Sequence, residues 1–159
     1  MSHSKGDLFV AFFRMRDVPT YLHWGLLFFD SSYNDMTLIH ATGGNSTGWS
    51  VEARRHFPAL QKRSTLRLVH IGRVRDAARC IGKLYVEVPL ANGNPNFNCK
   101  TWVMRAIMHL HEWNKIEVKD GGFSQLQHAL EQLAASAISR SAPFDIHTVA
   151  HCIIPREPL

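Results

Sequence analysis

The chain has 159 residues, 45% hydrophobic and 19% charged, enough apolar material for one substantial core, so a single domain over 1–159 is expected. No apolar run approaches the roughly 18 residues needed to cross a bilayer, and the start, Met1-Ser2-His3-Ser4-Lys5-Gly6-Asp7, lacks the apolar stretch of a secretory signal, so a soluble, cytoplasmic protein without a membrane span is predicted. The net charge of +5 raises nucleic acid as a partner, but the basic residues are scattered, densest at Arg54-Arg55, Lys62-Arg63 and Arg73-Val74-Arg75, with no recognised motif and no basic stripe interleaved with aromatics.

In chain order, Leu8 to Arg16 is short, apolar and aromatic and ends at Asp17-Val18-Pro19-Thr20, which reads as a buried strand and turn. His23 to Phe29 is a second strand. Asp30 to Asp35 is a turn cluster, and Met36 to Ala41 returns as a third strand, making an antiparallel hairpin the economical assignment. Thr42 to Gly48 reads as a flexible glycine-rich loop. Trp49 to Arg54 and Thr65 to Gly72 alternate as half-exposed strands, with Phe57 to Ser64 as the loop between them. Asp76 to Gly82 is predicted as a short helix ended by glycine, and Leu84 to Pro89 as a short strand. Cys99 to about Asn114 is the strongest helix, with Trp102, Val103, Ala106, Ile107 and Leu110 on one face. Phe123 to about Ser139 is a second amphipathic helix, and Asp145 to Ile154 a final strand or ordered tail. The expected class is α+β, a small antiparallel sheet packed against a helix.

Cys99 stands where a turn-prone stretch, Ala91 to Asn98, gives way to the apolar helix. A sulfur at a helix N-terminus meets free N–H groups and the positive end of the dipole, which lowers a thiol pKa and supplies oxyanion donors. A nucleophilic cysteine also needs a base, and the hairpin brings His23 and His40, one on each strand, close together. Cys80, Cys99 and Cys152 are odd in number and lack C-x-x-C spacing, which argues against a disulfide framework and a structural zinc site. No metal and no cofactor is expected. Zinc on His23, His40 and Cys99 ranks below a triad, and Cys80 and Cys152 read as structural. Trp24, Trp102 and Trp113 have core spacing. Trp24, Trp49, beside the glycine-rich loop, and Asn98 are expected to contact substrate.

Three short motifs, His-Trp-Gly-Leu-Leu-Phe from His23, Leu-Ile-His-Ala-Thr-Gly from Leu38, and Phe-Asn-Cys-Lys-Thr-Trp-Val from Phe97, resemble the circularly permuted branch of the NlpC-type, papain-like thiol hydrolases and acyltransferases. That branch includes the lecithin:retinol acyltransferase-like enzymes and the permuted deubiquitinase-like (PPPDE) peptidases. The spacing also resembles uncharacterised small fungal proteins with Tyr-His-Trp-Ala-Leu-Leu and Asn-Cys-x-x-Trp-Val segments. The resemblance covers about Leu8 to Leu110. It implies Cys99 as nucleophile, His23 as base, His40 as the group that orients the base, and a small antiparallel sheet on the nucleophile helix. Trp102 stands where the acyltransferases have phenylalanine, and no apolar anchor follows the core, so a peptide or small acyl substrate is expected rather than a lipid. The rival reading is a noncatalytic binding module of the same fold, with Arg54, Arg55, Lys62 and Arg63 facing an acidic protein or nucleic acid.

Overall fold

Apolar residues that alternate between two faces build the first half of the chain into a sheet, and apolar residues at helical spacing build the second half into the layer that covers it. The computed structural model describes residues 3–15, 21–118, 122–138, 145–148 and 153–155. The expected turn at Asp17 to Thr20 and the assignment of Cys152 lie outside the described residues. Strands β1 (Asp7–Arg14), β2 (Leu22–Ser32), β3 (Asp35–Gly44), β4 (Gly48–Phe57) and β5 (Thr65–Arg73) are followed by helices α1 (Ala77–Glu87) and α2 (Cys99–Glu112). Then come β6 (Ile116–Val118), α3 (Gly122–Ile138), β7 (Asp145–Thr148) and β8 (Ile153–Pro155). The main sheet has the order β4-β3-β2-β1-β5-β7, antiparallel except for the β5–β7 pair, and β6 pairs with β8 separately. No helix among the described residues is long and apolar enough to cross a membrane.

Strand alternation sorts side chains onto two faces. Leu22, Trp24, Leu26 and Phe28 of β2 join Ile39, Ala41 and the inward faces of α1, α2 and α3 in one apolar cluster. Leu27, Phe29 and Leu38 join Phe9, Phe13, Phe57 and Ala59 in a second cluster on the opposite face. β1, flanked by β2 and β5, is buried from Asp7 to Phe13, as a central strand covered on both faces should be.

Three local expectations need correction. The strand expected over Leu84 to Pro89 does not form, because α1 runs on through Gly82 to Glu87 and carries Cys80 and Leu84 into the core on one helical face. Asp76 caps its start by accepting from the Arg79 N–H. Gly82 lies on the exposed side, where a glycine weakens a helix by about 1 kcal/mol without ending it. The segment expected as a flexible loop over Thr42 to Gly48 is mostly strand, closed by a tight turn. Gly43 has φ +109°, and a Cβ there would sit 2.1 Å from the Gly48 carbonyl oxygen, so only glycine closes the hairpin. Finally, Phe57 to Ser64 is a loop only in part, since Phe57 ends β4 and Ala59–Gln61 forms a 3-10 turn that buries Ala59.

A buried arginine ties the last elements to the sheet. Arg67, 2% exposed, donates from Nε to Asp145 Oδ1 at 2.8 Å and from Nη2 to Oδ2 at 3.0 Å, while Nη1 reaches the Leu133 carbonyl and Ser136 Oγ. Removing one side of such a cluster strands buried polar groups. Arg67→Ala should therefore cost about 3 kcal/mol or more in urea denaturation, whereas the double change Arg67→Met with Asp145→Leu should cost less than Arg67→Ala alone.

Candidate active site

Asn98 starts α2 because its side chain can replace the missing helical acceptor. Its Oδ1 accepts from the Thr101 N–H at 3.0 Å, and its own N–H donates back to Thr101 Oγ1 at 3.4 Å, a reciprocal capping box. Cys99 is thus the first residue of the helix and is 2% exposed. The Trp24 N–H donates to Cys99 Sγ at 3.4 Å. That donor is free because the pairing of β2 with β3 extends only as far as Leu26 and Ile39, short of Trp24. The backbone N–H groups of Lys100 and Cys99 and the Tyr21 hydroxyl also favour a thiolate here, yet burial outweighs them and pushes the Cys99 thiol up from its ordinary value. The expected depressed pKa is thereby overturned. A dipole contributes only about 0.3–1 kcal/mol in ordinary settings, and removing a thiolate from water costs more than that. The sulfur rests as a thiol.

The two histidines meet as the hairpin predicts. His23 Nε2 lies 2.6 Å from His40 Nδ1, and His40 Nε2 lies 3.2 Å from Glu52 Oε1. Because Glu52 can only accept, His40 donates from Nε2, which leaves Nδ1 as acceptor for a proton on His23 Nε2. His23 Nδ1 is then the unprotonated nitrogen. Close approach of the rings requires Gly25, where an added Cβ would lie 2.9 Å from Leu38 Cδ1 and 3.3 Å from His40 Cβ. Burial, reinforced by neighbouring His40 and opposed by Glu52, lowers the His23 pKa to about 4. His40 is also lowered, first by burial, with Glu52 acting against it. Glu52 escaped the sequence reading. It stands opposite His40 in the β3–β4 register, and that position was available from the strand assignments.

Alternation separates what the motif order suggested would touch. His23 shares a strand face with Leu27 and packs near Phe13, ring centres 6.1 Å apart, on the side of the sheet away from α2. Among the described residues no hydrogen bond joins His23 to Cys99. Both nevertheless line one cavity of about 490 Å³, with Tyr21, Trp49, Phe97 and Asn98. Trp49 and Asn98 therefore stand where a substrate-binding role was expected. Trp24 is 5% exposed and packs edge-on to Phe12 at 4.8 Å; it borders a neighbouring cavity of about 240 Å³ with Tyr21 and Asn98 rather than this one, and it meets Cys99 through its backbone N–H. Tyr21 is the other residue missed, and its phenol is raised by burial and then by the neighbouring Cys99. The cavity mouth is fastened by side chains. Trp49 Nε1 donates to Asn45 Oδ1 at 3.2 Å, Asn45 Nδ2 donates to the Pro95 carbonyl at 3.4 Å, and the Trp49 and Phe97 rings meet edge-on at 5.6 Å. On the other face, Arg54 and Lys62 border a cavity of about 350 Å³ that His23 and His40 also line. Among the described residues no group of three or more His, Cys, Asp or Glu side chains is arranged to hold a metal ion.

Two measurements follow from these electrostatics. The rate of Cys99 alkylation by iodoacetamide, read by peptide mapping, should keep rising with pH past the range of an ordinary thiol, and a plateau below neutrality would reveal a thiolate–imidazolium pair instead. The second concerns stability. With a folded pKa of about 4 against 6.5 in the unfolded chain, His23 takes up its proton first in the unfolded state, so stability should fall as pH drops from about 6.5 towards 4. Guanidinium titrations across that window should show a shallower loss in His23→Gln.

Comparison with known proteins adds the family alone. The model of a family of unknown function (DUF6540) matches residues 10–117, a span that contains His23, His40, Glu52 and Cys99. No curated protein and no solved structure matches the chain. With well over half its length matched, and with the cavity residues inside the match, the chain belongs to the DUF6540 family of unknown function.

Proposed function

We propose that the chain is a thiol-dependent acyl hydrolase or acyltransferase with a permuted papain-like arrangement, histidines first and cysteine last. The observation that carries this reading is the shared cavity, where a helix-initiating Cys99 held by the Trp24 N–H stands with a His23 whose Nδ1 is left free by the chain through His40 to Glu52. The resemblance of the three motifs supports it independently. The proton leaves Cys99 Sγ for His23 Nδ1 across the cavity that both residues line. Sulfur attacks the carbonyl carbon of an amide, ester or thioester, and the carbonyl π pair moves to oxygen. The N–H groups that face Sγ are within reach of that oxyanion. Collapse expels the leaving group, which takes the proton from His23, and leaves a thioester. Water or another acceptor then attacks the thioester carbonyl as His23 takes its proton, and collapse breaks the C–S bond, releasing the acyl product while His23 returns that proton to Cys99 Sγ. An odd number of cysteines without C-x-x-C spacing suits a reducing cytoplasm, which would keep the Cys99 nucleophile reduced.

One observation favours the noncatalytic reading, namely that the sulfur is buried and its pKa raised, while Arg54 and Lys62 leave cations on the opposite face. Salt-sensitive binding of an acidic partner without any thiol dependence would support that module.

The deciding experiment is reaction with p-nitrophenyl acetate followed by intact mass and peptide mapping. Acetylation confined to Cys99 is expected, with turnover falling about a hundredfold or more in Cys99→Ala and in His23→Ala and no further in the double mutant, because residues acting as a unit are not additive. His40→Ala should lose much of the rate and His40→Gln should keep part of it, since an amide oxygen still accepts from His23 Nε2. Full turnover in Cys99→Ala would sink the covalent mechanism.

A further inference from the structure

β4 is the outer strand of the sheet, so one side of its backbone has no strand partner. At its first turn that side is already satisfied in an unusual way. The Trp49 N–H donates to Asn92 Oδ1 at 2.6 Å, and Asn92 Nδ2 donates to the Trp49 carbonyl at 3.4 Å. One carboxamide thus supplies the acceptor and donor that a neighbouring strand would supply. Since Trp49 directs both groups away from β3, alternation directs those of Val51 and Ala53 the same way, and the β3–β4 register is continuous from Gly43 opposite Trp49 to Leu38 opposite Arg54. Among the described residues, no hydrogen bond takes up these outward groups of Val51 and Ala53.

A groove of about 630 Å³ runs beside this edge, between Ser50 to Ala53 and the α1 residues Ile81, Tyr85 and Val86. Tyr85 is 52% and Val86 79% exposed, large apolar surface on a helix whose other side is core. Arg54 and Arg55 lie at the far end of the strand, on a chain of net charge +5.

We propose that the β4 edge binds an extended polypeptide with alternating apolar and acidic side chains, as an added strand. Its backbone pairs with Val51 and Ala53, its apolar side chains rest on Tyr85 and Val86, and its acidic side chains, on the opposite face, meet Arg54. Asn92 ends the pairing at Trp49. Because Trp49 is also a wall of the Cys99 cavity, the bound chain is led to the thiol. The proposal rests on the acyl-transfer reading in making this polypeptide the substrate, whereas the binding itself needs no chemistry.

The test is fluorescence anisotropy of a fluorescein-labelled peptide alternating Glu and Val, blocked at both ends, on Cys99→Ala protein. Saturable, salt-weakened binding is expected, with a Lys and Val counterpart binding poorly. Methylating alternate backbone nitrogens of the peptide should weaken binding about tenfold or more, the worth of one or two hydrogen bonds. That arm uses unaltered edge residues, so it stands even if Val51→Pro, which removes an outward N–H without touching β3, fails to fold. Arg54→Glu should weaken binding as well. Equal affinity for the methylated peptide, or indifference to the charge reversal, overturns the proposal. Self-association in sedimentation that Val51→Pro abolishes, without peptide binding, overturns it in favour of a second copy of this chain at the edge. Peptide binding without any turnover by the wild-type protein would leave the edge site standing and remove the acyl-transfer reading.

Discussion

Strand β2 carries His23 and the Trp24 N–H that meets Cys99, and the two-residue period of a strand keeps the side chains of these two residues on different faces. Even-numbered Leu22, Trp24, Leu26 and Phe28 pack against the helices, while His23 and Leu27 face the other way. Cys99 therefore contacts β2 through the backbone of Trp24, where pairing with β3 has ended, and not through the histidine one residue away. The cavity lies where both residues reach open space. A shift of β2 by one residue would put His23 into the helix-facing core and turn Trp24 out, which the apolar faces of α2 and α3 forbid.

The resting site is uncharged at its centre, and the balance of magnitudes explains why. Four donors favour a Cys99 thiolate, but the group is almost wholly buried and the nearest imidazole is held neutral by its own burial. A preformed ion pair would need His23 to keep a proton at neutral pH, more than two pH units above where it gives it up. Glu52 works in the opposite direction on both histidines without reversing the shift. The carboxylate instead fixes the tautomer, and through His40 leaves Nδ1 as the unprotonated nitrogen of His23.

Two asparagines, neither in the reacting set, shape the approach to Cys99. Asn45 joins the β3–β4 turn to Pro95, and Asn92 joins the same loop region to the backbone of Trp49. The loop that ends at the Asn98 cap is thereby held against the hairpin, and the cavity wall and the edge of β4 become one continuous surface.

By itself the sequence determined that this is a chain of mixed α+β structure, with β1 to β3 from short apolar runs, β4 and β5 from alternation, and α2 from the turn-prone stretch before Cys99 and the spacing of Trp102, Ala106 and Leu110. It also determined that His23 and His40 would meet, because a short polar turn fixes an antiparallel hairpin. It misjudged Leu84 to Pro89, where alternation over a few residues competes with helical spacing and the Asp76 cap decides. Only the tertiary structure decided the side of the sheet on which each histidine lies, the burial that raises the Cys99 thiol, and the arrival of Glu52 and Tyr21. The reason is physical. Caps and periods are properties of neighbouring residues, whereas desolvation and strand facing depend on which distant segments pack against them, and the positions of α2 and β4 relative to β2 are set by the whole core.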